Sequence, residues 1–238
     1  MADRQSVANE FQKPVPLEVK LLDLVTRIVP SAFFLMVLVQ KCNEHYAFIV
    51  SGQASGDAAG SWKFFADVVF RSSTILFLGV ISILFIIRLN PIKKARGILP
   101  RVLGVVGTFF MALVTFFPRA DLSVTQTVIA SVLSLVGTGL SVFALAHLGR
   151  SFSVMAEARS LVTSGPYRIV RHPLYMFEAV ASLGILLQFF SFYTVLIYVA
   201  HCFLQLQRMK NEEAVLEGVF PEYQTYKVKT ARVIPGIY

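Results

Sequence analysis

The sequence is poor in charged residues and in cysteine. Charged residues make up 15% of the 238 residues, whereas an ordinary soluble domain carries about 25%. The two cysteines, Cys42 and Cys202, lie far apart, which excludes a disulfide framework and a clustered zinc motif. The N-terminal residues mix acidic and basic types and show no cleavable signal pattern. With 55% hydrophobic residues and a mean hydropathy of +0.66, the composition predicts a membrane protein.

Long apolar runs divide the chain into segments that match the thickness of a bilayer, which a helix of about 20 residues spans. Six segments qualify, at about residues 22–40, 64–88, 102–117, 125–148, 173–190 and 192–209. The runs are continuous and do not alternate with polar residues, which excludes strands as the spanning element. The predicted fold is therefore all-α, a polytopic integral membrane bundle of about six transmembrane helices. Small residues on the fourth segment, at Ala130, Ser134 and Gly137, predict a close helix–helix contact.

The basic residues predict the orientation of the bundle, because lysine and arginine concentrate in cytoplasmic loops. With the N-terminus inside, the outer side receives only Lys41, Lys63 and Arg119. The inner side receives Arg4, Lys13, Lys20, Arg88, Lys93, Lys94, Arg96, Arg101, Arg150, Arg159, Arg168, Arg171, Arg208, Lys210, Lys227, Lys229 and Arg232. We expect a multi-pass protein with both termini in the cytoplasm. The net charge of +8 is explained by these loops, so no nucleic-acid partner is expected.

The residues whose side chains could take part in binding or catalysis lie in the C-terminal part of the chain. We divide the chain into a transmembrane scaffold over 1–148 and a functional region over 149–238. Gly165-Pro166 predicts a turn in the long inner loop, and His172-Pro173 leads into the fifth span. Arg208 and Glu212 are four residues apart and share one helix face. The fifth and sixth spans form a hairpin at Ser191, so the loop and this face should meet at the inner membrane surface.

The order and spacing of these residues resemble a known family. The matching pieces are the run from Leu161 to Tyr167, the run from Arg171 to Tyr175, Arg208 with Glu212-Glu213, and the run from Phe220 to Tyr226. Together they closely resemble the isoprenylcysteine carboxyl methyltransferase family, and the phospholipid N-methyltransferases share much of the pattern. The resemblance covers roughly the last 90 residues.

The resemblance implies methyl transfer from S-adenosylmethionine to a lipophilic acceptor, in a cytoplasmic pocket formed by the C-terminal third. Arg208 would contact the acceptor and, with Glu212, act in catalysis. The cofactor would contact Arg159, Ser160, Leu161, Val162, Tyr167, His172, Pro173, Leu174, Tyr175 and Glu212. The sequence departs from the eukaryotic pattern at Arg159, where a histidine is usual, and Met155 is a candidate for a further upstream contact. No metal is expected.

The residue types suit this chemistry. Tyr167 and Tyr175 could face a sulfonium cation through their rings, and Glu212 could bind an amino group or a ribose hydroxyl. Arg208 suits an acceptor carboxylate, because its guanidinium binds carboxylates through two hydrogen bonds. A carboxylate acceptor needs no base, whereas an amine acceptor would need one, and Glu212 or Glu213 is then the candidate.

Plainer interpretations compete for several of these residues. His172 could only cap the fifth span, and Arg208 with Glu212 could be an ordinary surface pair. Glu178 lies inside the fifth span, where a carboxylate is either functional or reaches towards the interface. Tyr223 and Tyr226 could belong to an interfacial aromatic belt. His201 and Cys202 are expected to be packing residues.

Other functions remain open at this stage. A phospholipid or amine N-methyltransferase shares most of the pattern. Membrane sterol reductases, which use NADPH, have a similar C-terminal region, and the ending from Arg232 to Tyr238 resembles theirs. A small transporter or scaffold with a degenerate fold is a third possibility. The acceptor and the oligomeric state are not predicted from the sequence; the expected partners are the bilayer and a lipophilic acceptor.

Overall fold

A computed structural model describes residues 17–54 and 61–236, which are almost entirely helical. The helices are α1 (Leu17–Ala54), α2 (Trp62–Ile87), α3 (Leu99–Phe109, continued by a 3₁₀ helix over Phe110–Phe116), α4 (Val124–Leu148), α5 (Pro173–Gln188), α6 (Phe192–Glu217) and α7 (Tyr223–Lys229). Short 3₁₀ helices also cover Gly149–Ser151 and Gly165–Arg168. Each of the six predicted segments falls on one of α1 to α6, and the all-helical class is confirmed.

Three helical stretches in the described residues are long and apolar enough to cross a membrane: Phe64–Ile87, Leu99–Phe116 and Val124–Ser151. Pro173–Gln188 is a shorter apolar helix. The stretch Leu99–Phe116 has only 18 residues, but its 3₁₀ part rises about 2.0 Å per residue instead of about 1.5 Å. It therefore reaches about 30 Å, the thickness of the hydrocarbon core. These helices are consistent with an integral membrane protein.

The first helix is longer than the predicted span, and hydrogen bonds from its Arg27 connect it to the C-terminal end of α2. Arg27 donates hydrogen bonds to the carbonyl oxygens of Ile86 at 3.2 Å and Arg88 at 2.5 Å, and also to the side chain of Asn90. It thus satisfies carbonyl groups at the C-terminus of α2. Arg4 and Lys13, which enter the predicted orientation, lie outside the described residues, and the side chains of Lys20 and Lys63 are not described.

The contact between α4 and α5 is built from small residues, as predicted for the fourth span. A Cβ atom on Gly137 would lie 2.3 Å from the backbone nitrogen of Ala181, and one on Gly184 would lie 2.3 Å from the hydroxyl oxygen of Ser134. Real Cβ atoms do not approach other atoms so closely, so both glycines permit the backbones to approach. The expected close contact is confirmed.

Two local features bring the functional loops to one end of the bundle. Ser191 forms a capping box with Thr194 and starts α6 directly after α5, so the two helices form a hairpin. At the opposite end, β1 (Lys93–Lys94) pairs antiparallel with β2 (Glu157–Ala158), in the register Lys93 with Ala158. This short sheet joins the loop after α2 to the loop after α4. The end of α2, the end of α4, the start of α5 and the end of α6 therefore surround one space.

Candidate active site

A cavity of about 490 Å³ lies between the helices and is lined in part by these loops. Its volume is in the range of small-molecule sites, about 300–1,000 Å³. The part lined by α1, α2 and α3 is mainly apolar, with Phe33, Phe34, Phe77 and Phe109 among its residues. The part lined by the 149–172 loop and the ends of α5 and α6 carries most of the charged groups. One cavity thus joins a polar region to an apolar one.

Nearly all of the predicted site residues meet in this cavity. The cofactor residues that line it are Arg159, Ser160, Leu161, Val162, Tyr167, His172, Leu174, Tyr175 and Glu212. Arg208 lines it as well, as do Met155, Glu178, Tyr223 and Tyr226, whose participation the sequence left open. Pro173 does not line it: its side chain is fully buried, and it occupies the first position of α5.

Four polar residues of α6 form a stripe along the cavity wall: His201, Gln205, Arg208 and Glu212. Their spacings of four, three and four residues place them on one helix face. His201 was expected to be a packing residue, and Gln205 was not selected from the sequence. The signal that would have found Gln205 is this spacing, because it lies one turn before Arg208 on the same face.

Arg208 is buried and held by neutral partners. It donates to the side-chain oxygen of Gln205 at 2.8 Å and to the carbonyl oxygen of Val154 at 3.1 Å. Its guanidinium lies 5.0 Å from the centre of the Tyr175 ring. Its Nε is buried without a hydrogen-bond partner among the described residues. Arg208 is buried, and no ion pair joins it to Glu212 among the described residues, so the interpretation of the two as an ordinary surface pair is wrong.

Two residues at the start of α5, His172 and Tyr175, contact the side chain of Glu212. The hydroxyl of Tyr175 donates to Glu212, and Nδ1 of His172 lies 4.0 Å from its other carboxylate oxygen. The rings of His172 and Tyr175 are in edge contact, with centroids 5.5 Å apart. The motif around His172 thus orients a cavity carboxylate in addition to preceding a helix.

Glu213 has a different role from its neighbour. It accepts hydrogen bonds from Arg171 at 2.9 Å, from Arg232 at 2.7 Å and from Nε2 of His172 at 3.2 Å. Burial alone would raise the pKa of this carboxyl, but the hydrogen bonds from His172, Arg232 and Arg171 outweigh burial and hold the pKa well below its ordinary value. Glu213 does not line the cavity. These contacts make it a structural anchor and argue against a role as a catalytic base.

The C-terminal segment closes over the same region. The backbone nitrogens of Arg171 and His172 donate to the carbonyl oxygens of Ala231 at 2.9 Å and Arg232 at 3.0 Å. The hydroxyl of Tyr226 donates to the carbonyl oxygen of Tyr167 at 2.5 Å. The residues from Tyr226 to Arg232 therefore fix the loop that carries the His172 motif.

Tyr223 and Tyr226 are part of the site wall and not of an exposed aromatic belt. Tyr223 is 1% exposed, and its hydroxyl has no hydrogen-bond partner among the described residues. Burial raises the pKa of Tyr223 well above its ordinary value and raises that of Tyr226 to about 12. Both phenols therefore keep their protons at neutral pH and can donate hydrogen bonds.

Arg159 lies at the loop side of the cavity and is paired with Glu157 at 2.5 Å. Glu157 also accepts from Ser153 at 2.9 Å and lies 3.7 Å from the ammonium group of Lys94. Ser160 hydrogen-bonds Ser151 next to this group. The sequence did not indicate Glu157 as a site residue, because it belongs to the two-residue strand β2, which no local pattern predicts.

The donors and acceptors in the polar part fit S-adenosylmethionine. Its amino group and ribose hydroxyls need a carboxylate such as Glu212, its carboxylate needs donors, and its sulfonium suits an aromatic face. The unpaired, buried hydroxyl of Tyr223 supplies one donor with no partner of its own. Tyr175 and Tyr167 supply aromatic surface next to Glu212.

The fold and the cavity define a class of protein: an all-helical chain with membrane-length helices and a polar site at one end of the bundle. Within that class, residues 129–218 match the isoprenylcysteine carboxyl methyltransferase (ICMT) family. The matched region includes α5, α6 and the loop that lines the cavity. The resemblance indicated by the sequence motifs is therefore confirmed over this region.

Two curated relatives are similar over part of the chain. The cobalt-zinc-cadmium resistance protein CzcN of Cupriavidus metallidurans is 29% identical over 108 residues, which are 43% of this chain and 50% of the relative. The nickel-cobalt-cadmium resistance protein NccN of Alcaligenes xylosoxydans xylosoxydans is 27% identical over 139 residues, which are 56% of this chain and 62% of the relative. The matches thus span between half and two thirds of these relatives' length. Within residues 17–54 and 61–236, no group of three or more His, Cys, Asp or Glu residues could hold a metal ion.

Proposed function

We propose that the protein is an integral membrane methyltransferase that uses S-adenosylmethionine and methylates the carboxyl group of a lipophilic acceptor of the isoprenylcysteine type. The observation that carries this proposal is the placement of Arg208, Tyr175 and Glu212 in one cavity that is polar at the loops and apolar between the helices. The match to the ICMT family supports the same reaction class.

The polar part of the cavity would hold the methyl donor. Glu212, oriented by Tyr175 and His172, would bind its amino group or ribose, and Tyr223 would donate to one of its oxygens. When bound, the donor would supply an electrophilic methyl group on a sulfonium, and transfer of that methyl group to an acceptor oxygen would leave a neutral thioether. Arg159 and Ser160 lie at the loop side, where they would bind the more polar end.

Arg208 would bind the acceptor carboxylate. A carboxylate is already ionised at neutral pH, so its methylation needs alignment and exclusion of water instead of a base. The buried, unpaired Nε of Arg208 offers a donor for this purpose. The aromatic residues of α1, α2 and α3 would surround the lipid tail.

We further propose that α1 to α6 all cross the membrane and that both termini lie in the cytoplasm. The 149–172 loop and the end of α6, which carry the polar cavity wall, would then face the cytosol, where the methyl donor is available. The lipid acceptor would reach the apolar part of the cavity from the bilayer.

Radiolabelled methyl transfer tests the proposal. Purified protein in detergent is incubated with methyl-labelled S-adenosylmethionine and either a farnesyl-cysteine analogue or a membrane lipid extract. We expect label in a base-labile methyl ester of the analogue, and loss of transfer in Arg208→Gln but not in Glu217→Ala. Label in a lipid amine would instead identify an N-methyltransferase, and the absence of transfer to both would contradict the proposal.

A further inference from the structure

Exposed residues in the cavity wall mark the places where the cavity reaches the surface. Most of the residues that line it are buried or half-buried, but Phe33, Ala112 and Ser160 are exposed. Ser160 belongs to the 149–172 loop, on the side proposed for the methyl donor. Phe33, which is 42% exposed, lies on α1, and Ala112 lies on the 3₁₀ part of α3. The cavity therefore also reaches the surface among the helices.

Phe33 and Ala112 border the same gap between α1 and α3, where the two helices meet through aromatic rings. The ring centroid of Phe109 lies 5.4 Å from that of Phe33, in edge contact, and 5.6 Å from that of Phe34, in a stacked arrangement. Ala112 follows Phe109 by three residues, so the two share one helix face. We call Phe33, Phe34, Phe109 and Ala112 the α1–α3 seam. The stretch Leu99–Phe116 is long and apolar enough to cross a membrane, so the seam would face lipid chains.

The same helix leads from the seam to Arg208. A Cβ atom on Gly107 would lie 2.7 Å from Cδ of Arg208, so the backbone of α3 passes directly beside the proposed acceptor group. Thr108, the next residue, lines the cavity, and its hydroxyl donates to the carbonyl oxygen of Gly104 at 2.8 Å. The remaining residues before Ala112 are apolar. Five residues of α3 cover about 8–10 Å, so a chain that starts at Arg208 reaches the seam along an apolar wall.

The cavity wall is closed at α4 and α5. Thr138, Ala181 and Ile185 line the cavity there, and each of them is half-buried. The backbones of the two helices are in close contact, since a Cβ atom on Gly137 would lie 2.3 Å from the backbone nitrogen of Ala181. A long chain that extended in this direction would end inside the protein.

We propose that the hydrocarbon tail of the acceptor leaves the cavity through the α1–α3 seam, so that its head is bound at Arg208 and its far end remains in the bilayer. The rings of Phe33 and Phe109 then flank the tail where it passes between the helices. Ala112 has the smallest side chain in the seam and is a specificity residue, because it sets the width of the opening. This inference rests on the proposed function and identifies which part of the acceptor the protein encloses.

The test compares N-acetyl-S-farnesyl-L-cysteine with an analogue that carries a pyrene group on the last isoprene unit, with the full chain in detergent and equal mole fractions of acceptor in the micelles. We expect KM values within about threefold of each other, because the pyrene stays outside the protein and its burial does not change. Ala112→Trp should raise both KM values by about 10- to 100-fold, because the indole would fill the seam. Leu113→Trp is the matched control: Leu113 is the next residue, is 42% exposed and does not line the cavity, so both values should be retained.

Photolabelling gives a second readout that needs neither a substitution nor methyl transfer. A farnesyl-cysteine analogue with a diazirine on its last isoprene unit is irradiated with the unsubstituted protein, and the labelled peptides are identified by mass spectrometry. We expect label on the peptides that contain Phe33 or Ala112. Label on the α4 and α5 peptides that contain Thr138 or Ile185 would overturn the inference, even if Ala112→Trp did not fold.

The kinetic results can overturn the inference as well. Rejection of the pyrene acceptor by a protein that methylates the farnesyl acceptor would mean that the end of the tail is enclosed. Equal KM values for Ala112→Trp and Leu113→Trp would mean that the tail does not pass Ala112. Failure to bind S-adenosylmethionine would instead contradict the proposed function on which the inference rests.

Discussion

Substitution of Glu213 is expected to destabilise the protein more than any other single carboxylate change. Its side chain is 4% exposed and that of Arg171 is 9% exposed. Glu213→Ala would leave Arg171, Arg232 and His172 without the carboxylate that accepts their hydrogen bonds. Removal of one partner from a buried charge pair costs about 3–5 kcal/mol.

The loss would appear in thermal unfolding of the purified protein. For a chain of this size, each kcal/mol lowers the melting temperature by about 2–4 °C. Glu213→Ala should therefore melt about 10 °C below the unsubstituted protein. Glu217→Ala is the matched control on the same helix: Glu217 pairs with Lys227 at a partly exposed site, and such pairs contribute about 0–1 kcal/mol.

The same experiment can refute the reasoning. A melting temperature for Glu213→Ala within about 2 °C of that for Glu217→Ala would mean that the buried cluster contributes no more than a surface pair. A cluster of that kind could not anchor the His172 loop to α6. Glu213→Gln should fall between the two, because it keeps hydrogen-bonding atoms and loses the charge.

Three further predictions concern pH and packing. The pKa of Glu213 is lower in the folded protein, so its ionised form stabilises the fold at pH values above its ordinary pKa of 4.5, and this stability is lost as the pH falls towards the lower folded pKa. Acid should therefore lower the melting temperature less in Glu213→Gln than in the unsubstituted protein. Gly184→Ala should destabilise by about 1–3 kcal/mol through overpacking, whereas Gly139→Ala, where a Cβ atom meets nothing within 4 Å, should be neutral or stabilising in the same thermal scan. Gly107→Ala would place a Cβ atom 2.7 Å from Cδ of Arg208 and would displace that side chain. We expect this substitution to lower kcat/KM for the acceptor by about 10- to 100-fold, and calorimetry should show unchanged affinity for S-adenosylmethionine.

Much of the fold follows from local properties of the sequence. The apolar runs predict α2 to α5 within a few residues, because each run is long and continuous enough to favour a helix, whereas α1 and α6 extend beyond the predicted segments. Ser191 and the small residues Ser134 and Gly137 predict the hairpin and the close contact, because capping and close approach depend on residue type. The same holds for the motifs around His172 and Arg208, which fix chemically distinctive side chains at short spacings.

The parts that the sequence did not predict depend on contacts between distant segments. Glu212 and Glu213 are adjacent glutamates that the sequence alone does not distinguish. Glu213 is the anchor because Arg171 and Arg232 pair with it, whereas Glu212 lines the cavity. Glu157 reaches the site through a two-residue sheet with Lys93 and Lys94. The sheet joins positions more than 60 residues apart, and the contacts of Glu213 with Arg171 and Arg232 join positions 42 and 19 residues apart. Contacts between such distant positions leave no local pattern.

Binding of S-adenosylmethionine to the purified protein tests the central claim most directly. Calorimetric titration should show saturable binding to the unsubstituted protein, weakened about 10- to 100-fold by Glu212→Ala through loss of a charged hydrogen-bond acceptor. Glu217→Ala, which changes a carboxylate outside the cavity, should bind with unchanged affinity. Thermal protection by NADPH with no binding of S-adenosylmethionine would contradict the account and would favour a reductase in its place.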